Sequence, residues 1–191
     1  MPASSFTSSV ATGVGLFSQE QAISFLNVMM TIAQQTSEML SGIARVAEKE
    51  EGREFSSVYR RASATLAEKP RSEEELTQIA AKLTQVYPEM RSLFQYICTT
   101  YAGLRFGGHG LYQVRVAVPQ LSEFLQQFYI ALARFVPFST GRFSQMPWPE
   151  AKLCVQDVIR TALERSLKNK TTVVEPSPPE DIFPADSVSC V

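Results

Sequence analysis

Residues 72–106 read SEEELTQIAAKLTQVYPEMRSLFQYICTTYAGLRF, and their spacing decides the fold class. Leu76, Ile79, Leu83, Val86, Met90, Phe94, Ile97, Tyr101 and Leu104 recur at steps of three or four, which places them on one helical face. Ser72 followed by Glu75 is a capping box: the serine hydroxyl accepts from the third helical N–H, and the glutamate reaches back to the serine N–H. Pro88 interrupts the run without shifting its phase. The pattern therefore predicts one helix kinked near Tyr87, with two abutting helices as the alternative. Gly107-Gly108-His109-Gly110 should end it, because glycine takes the positive φ that closes a helix.

Upstream, Ser18 with Gln21 reads as a second capping box, with Phe17 placed to staple onto Ala22. The helix it opens should run to about Glu51. Leu26, Met29, Ala33, Thr36, Leu40, Ile43 and Ala47 form a shallow heptad seam, and Phe25, Val28, Met30, Ile32, Met39 and Val46 widen it. A wide stripe implies burial, so Met29, Met30 and Met39 read as core before they read as an adaptable binding face. A shorter helix is expected over about Arg53 to Glu68. Phe55, Val58 or Tyr59, Ala62 and Leu66 would face inward there, with Arg53, Arg60 and Arg61 off that face.

Downstream, Tyr112, Val114, Val116 and Val118 alternate with other residues at period two, the mark of an extended segment. A lone strand is unstable. Thr171-Thr172-Val173-Val174 is a candidate partner; otherwise the segment is a connector or pairs with another chain. Pro119 suits the first turn of a helix to about Val136, striped by Leu121, Leu125, Phe128, Leu132 and Phe135 and flanked by Phe124 and Tyr129. Pro137 to Pro149 reads as an irregular connector. Pro149 and Glu150 then open a last helix with Leu153, Val155, Val158, Ile159, Ala162, Leu163 and Leu167 inward. Arg165, Lys168 and Lys170 sit at its negative end. The expected fold is all-α: a single helical bundle of five or six helices over residues 17–170. A flexible Ser/Thr-rich arm (1–16) and a Pro-rich acidic tail (171–191) flank it.

The chain has 191 residues and a formal net charge of -1. Four of the 19 acidic residues and none of the 18 basic ones fall in residues 171–191, so a body of formal charge +3 carries an acidic tail. That balance argues against a dedicated nucleic-acid binder. Cys98, Cys154 and Cys190 are far apart and odd in number, which fits reduced thiols in the cytoplasm or nucleus better than a disulfide framework or a zinc site. No apolar run reaches the roughly 18 residues of a membrane span. Met1 to Leu16 lacks the charges of a signal or transit peptide.

No cofactor motif and no metal-ligand spacing is present. His109, the sole histidine, has no Ser, Cys or Asp beside it, and its glycines follow a helix instead of a strand, so neither a triad nor a phosphate cradle is indicated. Glu73, Glu74 and Glu75 fan around a helix start and cannot converge on one ion. Arg53, Arg60, Arg61, Lys69 and Arg71 form the densest basic neighbourhood. It is either a solvated face or, with Tyr59 stacking on a base, a place for RNA. Ser189-Cys190-Val191 resembles the terminal pattern of class I PDZ ligands. These features lead to the expectation of a non-enzymatic interaction or assembly protein, docking protein partners or copies of itself through helix faces and arms. The alternatives are a coat or nucleocapsid-type subunit that binds RNA through the basic face, and an enzyme with a site near His109.

Overall fold

The computed structural model describes residues 16–17, 19–69, 71–107, 113–139 and 146–174. Among them are six long helices and two short strands. The helices are α1 (Glu20–Glu51), α2 (Phe55–Glu68), α3 (Glu73–Val86), α4 (Met90–Phe106), α5 (Leu121–Ser139) and α6 (Trp148–Leu167). The strands are β1 (Gln113–Val116) and β2 (Thr171–Val174). The fold is an all-α bundle of the expected kind.

Residues 72–106 form two helices, α3 and α4, and not one kinked helix. The capping box at Ser72 is present, with Glu75 N–H on the serine hydroxyl and Ser72 N–H on the Glu75 carboxylate. Pro88 disfavours helical geometry in the residue before it, and Tyr87 takes φ -123° and ψ 86°. The chain resumes helix at Met90, whose N–H bonds the Tyr87 carbonyl at 2.9 Å. The break changes the fate of the apolar row. Leu76, Met90, Phe94, Ile97 and Tyr101 are buried, Ile79 and Leu83 are half-buried, and Val86 and Leu104 are exposed.

Helix α1 ends at Glu51 as expected. Gly52 takes φ +65°, and the N–H groups of Gly52 and Arg53 return to the carbonyls of Glu48 and Ala47. This left-handed step favours glycine and turns the chain at once into α2. The start differs from expectation: Gln19 is the N-cap without a side-chain cap bond, and Ser18 lies outside the described residues. Leu16 and Phe17 are buried, so the core begins a residue earlier than the pattern placed it.

The centre of the core is aromatic. Phe94 of α4 lies 5.1 Å from Phe124 of α5 and 6.2 Å from Phe25 of α1, centroid to centroid, and Phe124 continues to Phe128 at 6.1 Å. All four rings are buried, and each removes about 1.5–3 kcal/mol worth of apolar surface from water. Helix α5 is the hub, packing against α2, α3 and α6. It begins at Leu121, two residues after Pro119, with Gln120 N–H bonded to the Glu123 carboxylate at 3.1 Å. It continues to Ser139, into the stretch expected to be irregular, and α6 starts at Trp148 with Pro149 in its first turn. Leu153 is exposed and does not belong to the inner face of α6, whereas Val155, Val158, Ile159, Ala162, Leu163 and Leu167 do.

The extended segment has its partner within the chain. β1 and β2 pair antiparallel with Val114 opposite Val173 and Val116 opposite Thr171, and Ala117 N–H bonds the Lys170 carbonyl at 2.8 Å. The first four residues of the expected tail, Thr171–Val174, are therefore a strand. An ion pair between Lys170 and Glu123 ties the start of β2 to α5. Gly107 closes α4 at φ -75°, so positive φ is not what selects glycine there; a Cβ would run into the Gly103 carbonyl oxygen.

Candidate interaction surfaces

Three surfaces carry chemistry worth weighing. The first is the outer face of α1. Helix α1 has 32 residues, about 48 Å of rise. Its N-terminal half buries a wide stripe: Phe25, Leu26, Val28, Met29, Met30, Ile32 and Ala33. Beyond Ala44 nothing on the helix is buried. Met39, Ile43 and Val46 are 41%, 47% and 54% exposed and lie at i, i+4 and i+7, one continuous row. Gly42 sits beside that row with nothing within 4 Å of where a Cβ would be. Of the methionine cluster, Met29 and Met30 are core and Met39 faces solvent.

The second is the basic neighbourhood, which the fold only partly assembles. Arg60, Arg61 and Lys69 are exposed, and no ion pair of the described residues includes them. Arg53 pairs with Glu51 at 2.7 Å. Arg71 turns inward: its guanidinium lies over the Tyr129 ring at 5.1 Å, and its Nε is buried without a hydrogen-bond partner. Tyr59 is fully buried, with its hydroxyl 3.3 Å from Ser37 Oγ, so it offers no platform for a base. Burial pushes its hydroxyl pKa up, against the lowering effect of Ser37 and Ser41. The face is thus narrower than the sequence implied and has lost its aromatic member.

The third is a cleft that the sequence did not announce. The break at Pro88 splays α3 from α4, and the Val118–Ser122 segment enters between them. The opening is about 570 Å³, within the range of small-ligand sites. Ala80 and Ala81 of α3, Phe94 of α4 and Leu121 of α5 give it apolar walls, and Arg91 is its single ionisable lining residue. No ion pair of the described residues includes Arg91. It stands in the first turn of α4, two residues after the N-cap Glu89. The available signal was Tyr87-Pro88 itself; reading it as a kink concealed the notch that a full break opens. A second opening, about 520 Å³ between the starts of α1 and α4, is lined mostly by polar residues, Glu20 and Glu89 among them.

Reactive groups are not gathered anywhere in the described residues. Burial pushes the Cys98 thiol up to about 12. Cys154 is raised as well, by burial and then by the charges of Glu150 and Asp157. Both cysteines are free thiols. Tyr101 donates to the Glu164 carboxylate at 3.0 Å and is raised by burial first and by that charge second. Among the described residues no group of three His, Cys, Asp or Glu could hold a metal ion, and no helix is long and apolar enough to cross a membrane. His109, Ser189 and Val191 lie outside the described residues, and with them the histidine site and the PDZ-type terminus. No family model, no curated protein and no solved structure matches the chain.

Proposed function

We propose that this chain is a non-enzymatic assembly protein whose copies associate through the second half of α1. The observation that carries the reading is the uncovered row Met39, Ile43 and Val46, which continues a stripe buried in the first half of the same helix. The occupant is the same row of a second copy, run antiparallel. With the axis between Gly42 and Ile43, Met39 faces Val46, and the bare Gly42 admits the Ile43 side chain. Helical geometry puts Glu38 and Lys49 within about 20° of each other around the axis, on one flank of the row. In the antiparallel pair each Glu38 then meets the Lys49 of the other copy, a complementary match of opposite charges. Three side chains and a glycine cover less than the roughly 800 Å² per partner of a standard interface, so the association is weak and concentration-dependent. Free thiols at Cys98 and Cys154 support a reducing compartment, cytoplasmic or nuclear.

Light scattering after size-exclusion chromatography, from about 10 μM to about 1 mM, tests this. The mass of the wild type should rise with concentration, and Ile43→Glu should hold it at the monomer. A monomer at every concentration would end the self-association reading.

The coat-type reading, with RNA on the basic face, retains one supporting observation: Arg60, Arg61 and Lys69 are exposed and outside every described ion pair. It predicts salt-dependent RNA binding that Arg60→Glu with Arg61→Glu weakens and whose salt slope it flattens. No binding by the wild type at low salt, or binding unchanged in the double variant, removes it.

A further inference from the structure

We infer that the cleft between α3 and α4 is a docking site for the chain's own acidic tail, with Glu180-Asp181-Ile182-Phe183 as the segment that enters it. The inference is independent of how α1 behaves. It starts from a mismatch within the body. The cleft has apolar walls, one cation and no lining acid, and that cation, Arg91, belongs to no ion pair of the described residues. A site of this kind calls for a ligand with a carboxylate next to an apolar group.

Residues 175–191 supply that chemistry. They contain Glu175, Glu180, Asp181 and Asp186 and no basic residue. Only at Glu180-Asp181-Ile182-Phe183 do two carboxylates stand directly before two large apolar residues. Asp181 or Glu180 would accept a forked pair of hydrogen bonds from the Arg91 guanidinium. Ile182 and Phe183 would cover Ala80, Ala81, Phe94 and Leu121. Pro178, Pro179 and Pro184 bracket the segment and favour the extended form that a narrow cleft admits.

The connection is long enough. β2 ends at Val174, opposite Gln113, and the strand opposite leads from Gln113 to Val118 at the rim of the cleft. Those five steps cover about 17 Å in an extended chain. A tight reversal after Val174 uses about three steps, and the six from Ser177 to Phe183 then span up to about 20 Å. The tail can therefore fold back beside β1 and bring Ile182 and Phe183 level with the rim of the cleft without unpairing the sheet.

Hydrogen exchange of the full chain, read by mass spectrometry, tests the site. The amides of residues 180–183 should exchange about tenfold or more slower than in an unstructured peptide of the same sequence. Glu180→Lys with Asp181→Lys should return them to the peptide rate, as should Arg91→Glu, and joining the two reversals should restore protection. The tail variant alters nothing in the helical body, so it remains decisive even if Arg91→Glu loosens α4. Exchange of 180–183 at the peptide rate in the wild type overturns the inference, and so does protection that survives the tail reversal. Protection that grows with protein concentration overturns docking within one chain and assigns the cleft to the tail of a second copy. Failure here leaves the concentration-dependent mass of the α1 reading untouched.

Discussion

The two halves of α1 carry apolar rows in one phase, buried in the first half and exposed in the second. From Ala22 to Ala33 the helix presents apolar residues around most of its circumference, and nearly all are buried. From Met39 to Val46 the apolar row continues in phase, and Met39, Ile43 and Val46 stay in solvent. The difference is one of available partners. Helices α4 and α6 pack on α1 as well as α2. Along the second half α2 returns on the side of Ser37 and Ser41, where Tyr59 meets Ser37. Hydrophobicity sets what a helix face can offer, while the number and length of neighbouring elements set what is covered.

That contrast has a direct energetic form. Leu26→Ala in the first half should destabilise by about 2–5 kcal/mol, through lost transfer energy and the cavity left behind. Ile97→Ala, in α4, should fall in the same range, since Ile97 is fully buried. Ile43→Ala should cost under about 0.5 kcal/mol when measured below the association range, because its side chain already faces water. Urea denaturation at low micromolar concentration reads all three. An Ile43→Ala cost near that of Leu26→Ala would mean the second half is covered within the monomer.

The periodicities of residues 22–33, 90–101 and 121–132 translated directly into buried faces, because step patterns report which side of a helix is apolar. They do not report where partners run out, so Ile43, Val86, Leu104 and Leu153 were indistinguishable in sequence from their buried neighbours. Pro88 was legible as an interruption, but its outcome depended on whether α3 could pack on α5 independently of α4, a tertiary matter. The β1–β2 pair shows the same limit: Thr171–Val174 had strand composition, yet only the closure of α6 onto α5 brings it to Val114 and Val116. Of the candidate surfaces, the basic residues were visible as a cluster. The inward turn of Arg71 onto Tyr129 was not, because a guanidinium on an aromatic face leaves no spacing signature.

Gly52 marks the end of the bare half, and its left-handed φ of +65° makes the return of α2 possible. Gly52→Ala should cost about 1–2 kcal/mol, the strain of an L-residue in that region, although nothing lies within 4 Å of the added Cβ. A neutral result in thermal denaturation would show that the α1–α2 connection relaxes, and with it the assignment of which side α2 covers.

The covered side of the second half rests on few polar contacts, and Tyr59→Phe measures one of them. Removing the hydroxyl takes away the partner of a buried serine, for a loss of about 1 kcal/mol. Ser63, on the same inner side of α2, is buried with an unpaired hydroxyl. Ser63→Ala should therefore be neutral or slightly stabilising, since it removes an unsatisfied group at little cost in volume. A lowered denaturation midpoint for Tyr59→Phe beside an unchanged or slightly raised one for Ser63→Ala would show that α2 is held by one good polar contact and not by a continuous seam.

Gly42→Ala, whose expected effect is small, is the most discriminating variant for the bare row. Gly42 lies inside a helix, is exposed, and has open space around its missing side chain. In the isolated monomer Gly42→Ala should stabilise by about 0.5–1 kcal/mol, because alanine loses less backbone freedom on forming a helix. If two copies pair antiparallel across the row, the same methyl intrudes where Ile43 of the other copy must approach, and association weakens. The variant should thus raise the denaturation midpoint at low micromolar concentration while lowering the mass observed at high concentration. A gain in stability with unchanged association would place the contact elsewhere on α1. A loss of stability at low concentration would mean that the space beside Gly42 is already occupied within the single chain.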